Sequence, residues 1–224
     1  MTQIKTTLKD HMGSDLSVVN AARVSFGKES EGVLAWKQET EDMTSPVRVP
    51  TQQDEKLIRY LAKHKHLSPF GHAFASFHVK APIFIRAQLV KHKFLRVNEI
   101  SRRYVDDNIE FYVPDVWRGR SADKKQGSEG EVHSNANMLY YNDKCLAMYN
   151  QLLDEGVAPE QARMVLPQST MTEWWWSGSL DAFAAMCVLR CAPDTQYEKR
   201  IVADQISDVM GDLFPVSWEA LMND

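Results

Sequence analysis

Hydrophobic and polar residues alternate with a period of two in two segments of the first half of the chain. Residues 2–8 and the run AFASFHVKA at 73–81 show this alternation, which is typical of a strand with one buried face. A further strand is predicted at 109–114, IEFYVP, from its β-branched and aromatic residues. The first half of the chain is therefore expected to supply the strands of a sheet.

Helical periodicity separates these strands. The run LSVVNAARVSF is predicted to form a helix capped by Ser14 or Asp15. Thr51 and Asp54 have the spacing of a capping box and open the helix DEKLIRYLAKHKH. Pro82 suits the first turn of the helix IFIRAQLVKHK, because a proline there removes no helical hydrogen bond.

The C-terminal part of the chain has a helical pattern throughout. The run NANMLYYNDKCLAMYNQLLDEG ends at Gly156, and APEQARMVLP continues through Pro159. Ser179 is predicted to cap SLDAFAAMCVLRC, and Thr195 with Glu198 to form a capping box for QYEKRIVADQISDVMGDLF. No strand is expected in this part.

Two segments interrupt these patterns and are predicted to be flexible loops. Residues 27–50 are acidic and punctuated by glycine and proline, and residues 118–134 are polar and rich in glycine. A chain of 224 residues can bury one sizeable core. Strands early and helices late predict a single α+β domain over residues 1–224.

Composition narrows the class of protein. The chain is 44% hydrophobic, which is typical of a folded protein, and its net charge of −4 provides no overall positive field for nucleic acid. It begins without the apolar core of a signal peptide, and charges interrupt its apolar stretches before the roughly 20 residues that span a bilayer. Three cysteines without a C-x-x-C pair fit a reducing compartment. We expect a cytoplasmic protein without a membrane, nucleic-acid or metal partner.

Candidate chemistry is concentrated in the run QLVKHKFLRVNEISRRY. From Arg86 to Arg103, six basic residues stand against one acidic residue, Glu99. Such a run is ordinarily a solvated basic face. Here directional hydrogen-bonding groups, including Gln88 and Ser101, lie among the cations. That mixture favours a ligand with a phosphate at one end and a polar ring at the other.

The same run carries a resemblance to a known family. Lys91, His92, Lys93, Ser101 and Arg103 form K-H-K-x7-S-x-R, which resembles the signature R-H-R-x7-S-x-R of flavin-dependent thymidylate synthases. The blocks LSVVNAARVSF, KHKHLSPFGHAFASFHVKAPIF, ARMVLP and the LR pair that follows MCV resemble further family blocks in the same order. The resemblance covers most of the chain and fails mainly in the two predicted loops.

The resemblance implies a fold, a reaction and an assembly. The fold would be a curved, mostly antiparallel sheet flanked by helices. The protein would be a methyltransferase that converts dUMP to dTMP, with FAD as cofactor, 5,10-methylenetetrahydrofolate as carbon donor and NADPH as reductant. It would form a homotetramer with active sites between subunits. Hydroxymethylation, methylation of another pyrimidine nucleotide such as dCMP, and a non-enzymatic nucleotide or nucleic-acid binding module stay open as alternatives.

The resemblance also assigns nucleotide-binding residues. The positions that match dUMP contacts are Gln88, Lys91, Glu99, Ser101, Arg102, Arg103, Arg163 and Arg190. Arg190 and Ser101 are the expected catalytic residues. A guanidinium at the pyrimidine edge would stabilise negative charge on the ring and so make C5 nucleophilic. Ser101 would help to polarise the ring, because no neighbouring base in the run could activate it as a nucleophile.

A second set of positions matches flavin contacts: Ser68, Lys91, His92, Lys93, Glu99 and Ser179. Both arginines of the family triplet are lysines here, which keeps the charge but loses the planar fork that binds phosphate through two bonds. His66 is expected near folate or flavin, and His72 in a structural role.

One region departs from the family pattern. Asp181 and Ala185 stand where the family usually has arginine and asparagine, and an aspartate would repel flavin phosphates. Either the register slips there or the flavin contacts are redistributed. The triplet Trp174–Trp176 is expected to pack in the core or between subunits.

Overall fold

The structure is a computed structural model that describes residues 3–40, 43–122 and 127–223. Its strands are Lys5–Met12 (β1), Val33–Thr40 (β2), Met43–Val49 (β3), Phe74–Pro82 (β4), Arg96–Glu99 (β5), Trp117–Arg120 (β6), Ser128–Val132 (β7) and Met171–Ser179 (β8). Its α-helices are Asp15–Arg23 (α1), Gln52–Lys63 (α2), Ile83–Leu89 (α3), Met138–Asp154 (α4), Pro159–Ala162 (α5), Leu180–Arg190 (α6), Tyr197–Leu213 (α7) and Pro215–Asn223 (α8). Within these ranges, no helix combines the length and the apolar character needed to cross a membrane.

Four strands form the central sheet in the order β1-β4-β8-β5, and every neighbouring pair is antiparallel. β4 and β8 pair along their whole lengths, from Phe74 opposite Ser179 to Pro82 opposite Met171. The helices α6, α7 and α8 pack against one another and α7 packs on the sheet. The predicted α+β class and the mostly antiparallel sheet are confirmed.

The core forms where the sheet meets α6. Phe183 of α6 packs edge-on against Phe77 of β4 and Trp176 of β8, with ring centroids 5.2 and 5.8 Å away. Trp174 and Trp176 are buried, whereas Trp175 points to the other face and is 49% exposed. Core packing, predicted for the tryptophan triplet, is therefore confirmed for its two outer members.

β8 contradicts the prediction that the C-terminal part contains only helices. Its segment MTEWWWSGS pairs with β4 on one side and β5 on the other. Buried residues alternate along it, but the three consecutive tryptophans conceal this alternation in the sequence. Aromatic residues favour strands because they pack well on a pleated surface, and the central position of β8 uses that preference.

Both predicted loops contain hairpins. Residues 27–50 include β2 and β3, paired from Val33 opposite Val49 to Thr40 opposite Met43. Residues 118–134 include most of the β6–β7 hairpin, while 123–126 lie outside the described residues. Each hairpin is a two-stranded ribbon, so both of its strands are edge strands. Glycine and proline are tolerated in edge strands because backbone groups on the outer edge need no partner strand. The glycines and prolines of these two segments therefore predicted irregular structure wrongly.

The strand predicted at 109–114 is also wrong, since this segment forms only one bridge, Phe111 to Thr170. Met171 N donates to Glu110 O at 2.8 Å. Further along β8 the same edge is paired with β5, so residues 109–114 cannot extend this contact into a longer ladder.

Two helix boundaries differ from their predictions. α3 ends at Leu89 rather than continuing through the basic triplet, and Phe94, shortly after it, has a positive φ of 66° that no helix allows. α7 begins after Gln196, and the hydroxyl of Thr195 donates to Leu189 O at 2.9 Å instead of capping α7.

The predicted capping box of α2 is present. Thr51 Oγ1 accepts from Asp54 N at 3.2 Å, and Asp54 Oδ2 accepts from Thr51 N at 3.0 Å. The side chain of Asp54 is fully buried and also binds Arg23 Nη2 at 2.6 Å and Ser30 Oγ at 2.7 Å. Burial raises the pKa of this carboxyl, but its hydrogen bonds outweigh burial and lower the pKa below 3.8. One carboxylate thus joins α1, α2 and the segment between α1 and β2.

A second buried carboxylate joins the first and last helices. Asp15, at the start of α1, is 4% exposed and accepts from Val216 N at 3.0 Å and Ser217 N at 2.9 Å. These two amides belong to the first turn of α8, where an anion is favourable. Nearby, Gln205 of α7 accepts from Thr6 N of β1 at 2.6 Å. The last two helices therefore hold both β1 and α1.

Candidate functional site

A cavity of about 890 Å³ opens between α3, the end of α6 and the start of α7. We call it the α6–α7 pocket. Aromatic residues and Pro114 form part of its wall, and its polar lining includes Gln88, Arg190, Gln196, Glu198 and Lys199. Two of the residues predicted to bind the nucleotide, Gln88 and Arg190, therefore share one pocket.

Arg190 is the last residue of α6, where a cation is favoured by the helix dipole. Its Nε donates a hydrogen bond to His92 Nε2 at 2.9 Å. His92 must be neutral to accept this bond, and burial, together with the charges of Arg190 and Lys199, lowers the pKa of His92 to about 4. The basic triplet thus meets Arg190 through its central histidine, which orients the guanidinium.

The depressed pKa of His92 predicts a stability effect that can be measured. In the unfolded chain His92 takes up a proton near its ordinary pKa of 6.5, whereas the folded protein takes it up only near 4. The unfolded state binds more protons between these values, so the free energy of unfolding falls as the pH is lowered from about 6.5 to about 4. His92→Gln keeps an acceptor oxygen but cannot titrate, and we expect it to lose less stability over this interval.

Chemical denaturation of the wild type and His92→Gln at several pH values between 7 and 4 measures this difference. Parallel losses of stability in the two proteins would show that His92 is not held neutral by the fold.

Lys199 is a pocket residue that sequence reasoning missed. It is 7% exposed, and its Nζ donates to Gln88 Oε1 at 2.7 Å. Burial and the charge of Arg190 lower the pKa of its ammonium, while Glu198 opposes the shift. A signal was present in the sequence, because Lys199 falls on the apolar stripe of α7 formed with Val202, Ala203, Ile206 and Met210.

Glu99 is held at the sheet edge by two contacts. Arg86 Nη2 lies 2.6 Å from Glu99 Oε2, and Thr172 Oγ1 donates to Glu99 Oε1 at 2.8 Å. Arg86, which the sequence analysis left without a role, therefore neutralises and orients a predicted ligand-binding carboxylate.

The other predicted nucleotide contacts are not part of the lining of the α6–α7 pocket. Ser101 Oγ accepts from Arg103 N at 3.3 Å, and Arg102 Nη1 donates to two backbone carbonyls of the following turn. Arg103 Nε lies 3.5 Å from Glu160 Oε2, and Arg163 Nε donates to Glu160 O at 3.3 Å. Arg103 and Arg163 therefore both contact Glu160 on the surface, where they form a cationic cluster outside the α6–α7 pocket.

A second cavity, of about 460 Å³, brings together two predicted flavin contacts, Ser68 and Ser179. We call it the Ser68 pocket. Phe74 and Phe94 provide apolar surface, and a Cβ at Gly178 would overlap the side chain of Leu95, which would have to move to admit a larger residue.

The Ser68 pocket has the donor and acceptor set for a planar polar ligand. Ser179 occupies the N-cap position before α6 but, contrary to the prediction, makes no side-chain capping bond, and Asp181 Oδ1 is buried without a hydrogen-bond partner in the described part of the chain. These unused groups, beside aromatic surface, fit the flavin ring or ribityl chain. Lys91 and Lys93 are exposed, so their charges are available to phosphates. His66 is also exposed, and its ring stacks on Tyr60 with centroids 6.3 Å apart.

Fold and site together describe an α+β protein in which cationic residues surround an open ligand pocket. The family model described as "Thymidylate synthase complementing protein" matches residues 7–216. The flavin-dependent thymidylate synthase of Thermus thermophilus is 37% identical over 216 residues, which cover 95% of this chain and 73% of that protein. The enzyme of the same name from Kosmotoga olearia is 37% identical over 222 residues, which cover 96% of this chain and 89% of that protein.

A solved structure agrees with these relatives. The UMP/dUMP methylase PolB from Streptomyces cacaoi, bound with 5-Br dUMP, superposes with a TM-score of 0.80 at 31% identity and covers 99% of this chain and 96% of its own. The chain belongs to the family of flavin-dependent thymidylate synthases, as the resemblance of its signature predicted. Members of this family are methyltransferases.

Proposed function

We propose that this protein converts dUMP to dTMP, with FAD as cofactor, 5,10-methylenetetrahydrofolate as carbon donor and NADPH as reductant. Family membership supports the reaction class, and the chemistry of the α6–α7 pocket supports a pyrimidine nucleotide. The observation that carries the proposal is the guanidinium of Arg190, which lines the pocket and is oriented by a neutral histidine. The structural neighbour PolB is bound with 5-Br dUMP, which is also a pyrimidine nucleotide.

The proposed reaction balances in atoms and electrons. The pyrimidine C5 loses its proton and forms a bond to the methylene carbon, whose two bonds to folate nitrogens break to give tetrahydrofolate. NADPH supplies the hydride equivalent that makes the methylene a methyl group, and the C5 proton together with one proton from solvent protonates the two folate nitrogens. Bound FAD would supply the hydride chemistry that connects NADPH to the pyrimidine.

The roles of this chain's own residues follow from their positions. Arg190 would stabilise negative charge on the ring while C5 attacks, because a fixed cation in a partly desolvated pocket stabilises developing charge more than water does. His92 would keep its guanidinium in one orientation. Ser68 and Ser179 would hold the flavin, with Lys91 near its phosphates.

We also propose that the active site is completed by a second copy of the chain in a homotetramer. Ser101, Arg102, Arg103 and Arg163 match nucleotide contacts, yet they do not line the α6–α7 pocket of their own protomer. In the assembly that the resemblance implies, the cluster of Arg103 and Arg163 would bind the phosphate of a nucleotide whose base lies in a neighbour's pocket.

Anaerobic turnover tests the proposed function. Purified protein is supplied with dUMP, methylenetetrahydrofolate, FAD and NADPH, and mass spectrometry identifies the product. We expect dTMP, and no product when methylenetetrahydrofolate is omitted. A hydroxymethylated nucleotide, or turnover of dCMP in preference to dUMP, would replace this proposal with one of the alternative reactions. Colourless protein that binds DNA with a steep salt dependence would indicate a binding module instead.

A further inference from the structure

Four side chains in the α6–α7 pocket form a directed chain of hydrogen bonds. Lys199 Nζ donates to Gln88 Oε1 at 2.7 Å, and Gln88 Nε2 donates to Gln196 Oε1 at 3.3 Å. Gln196 Nε2 then donates to Glu198 Oε2 at 3.2 Å. All four residues line the pocket. The chain thus runs from a cation through two amides to a carboxylate.

The charged ends determine how both amides are oriented. An ammonium can only donate and an ionised carboxylate can only accept, whereas an amide presents a donor at one end and an acceptor at the other. Lys199 therefore requires the oxygen of Gln88 to face it, and Glu198 requires the nitrogen of Gln196. A reversed amide at either position would place two donors or two acceptors together, which is unfavourable in a partly buried site.

The fixed amides leave a donor beside an acceptor for a ligand. Gln88 Nε2 directs its two hydrogens to Gln196 Oε1 and Phe84 O, and both bonds are long, at 3.3 Å, so that a ligand oxygen can replace Phe84 O as the acceptor. Gln196 Oε1 has a second lone pair. The edge of uracil presents a carbonyl oxygen at C4 and an N–H at N3, which match this donor and acceptor. Cytosine presents an amino group and an unprotonated nitrogen at the same two positions, which would meet them donor to donor and acceptor to acceptor.

We propose that Lys199 and Glu198 are positioning residues that fix the amides of Gln88 and Gln196, and that this pair selects uracil over cytosine in the nucleotide. The inference rests on the proposed function, which places the pyrimidine in the α6–α7 pocket, and deepens it by naming the specificity element. It also explains why a lysine occupies the apolar stripe of α7. An ammonium without a partner would be unfavourable there, and an aliphatic residue would pack without that cost. The lysine is therefore explained by its hydrogen bond to Gln88.

Lys199→Met tests the inference, because methionine keeps most of the volume and removes the donor. In the flavin-loaded enzyme we expect the ratio of kcat/KM for dUMP to that for dCMP to fall about tenfold or more, since Gln88 becomes free to reverse. The ratio of the two nucleotides' dissociation constants, measured without turnover, should shift in the same direction. Glu198→Gln, which can accept or donate, releases the other end of the chain and should also reduce discrimination.

Arg200→Met is the matched control. It removes a cation from the next position of α7, where Arg200 binds Pro193 O and lies over the ring of Tyr197, outside the amide chain. Its discrimination should equal that of the wild type. A folded Lys199→Met or Glu198→Gln protein with unchanged discrimination would overturn the inference. If the wild type fails to methylate dUMP, the proposed function is lost, and the ratio of dissociation constants still decides whether the amides select uracil.

Discussion

Arg190→Met is expected to lower kcat for dUMP methylation by about a hundredfold to a thousandfold, the range measured when one preorganised donor to a developing anion is removed. Arg190 is the residue that the α6 terminus and His92 together place in the pocket. Methionine fills similar space but provides neither charge nor donors, so negative charge on the pyrimidine would be left without its partner. Single-turnover rates with saturating dUMP measure the change without interference from weaker binding.

Flavin content separates this effect from damage to the fold. Arg190 does not line the Ser68 pocket, so the variant should retain its flavin absorbance. Arg120→Met, which removes an exposed arginine of β6 that lines neither pocket, should turn over at the wild-type rate. Near wild-type turnover by Arg190→Met would remove the catalytic role from this residue.

The largest expected effect on stability comes from Asp54→Ala, at about 3–5 kcal/mol in the free energy of unfolding. The substitution leaves Arg23, which is 22% exposed, without its carboxylate, and it removes the capping box of α2 and the acceptor of Ser30. A buried pair that loses one partner costs far more than the pair contributes, because the remaining charge stays desolvated. Urea denaturation near pH 7 measures the loss.

An exposed ion pair provides the control for this substitution. Arg59 and Glu219 lie 2.9 Å apart with about half of each side chain exposed, and Arg59→Met should cost less than about 1 kcal/mol. The two proteins should also differ in acid. The folded pKa of Asp54 is lowered, so its contribution is complete above the ordinary value of 3.8 and is lost as the pH falls through the folded pKa. Similar losses in both variants at neutral pH would show that Asp54 is not a buried link between helices.

Local signals in the sequence predicted local structure well. The capping box of α2 depends on two residues three positions apart, and its geometry is that of the prediction. The strand 73–81 alternates cleanly because one face of β4 is buried. β8 was missed because a tryptophan run has no visible alternation, and the β2–β3 hairpin because proline and glycine in a ribbon resemble those in a loop.

The site depends on contacts between residues far apart in the sequence. His92 and Arg190 are 98 positions apart, and Gln88 and Lys199 are 111 apart. No spacing rule predicts such pairs. The family resemblance assigned roles to His92 and to Arg190 separately and did not predict that the two side chains are in contact. Lys199 was recognisable in principle, since a lysine within an apolar helical stripe needs a buried partner, but the sequence does not indicate which residue that partner is.

The bond from Asp15 to the amides of Val216 and Ser217 has a consequence for how the chain folds during synthesis. Contacts that span about two hundred positions close last, because their loop entropy must be overcome before they stabilise anything. Until α7 has been translated, β1 lacks the anchor that Gln205 provides, and until α8 has been translated, Asp15 lacks the amides of Val216 and Ser217. In the nascent chain β1 can therefore pair with β4, and α1 can bind α2 through Arg23 and Asp54, well before α7 and α8 add their links to both.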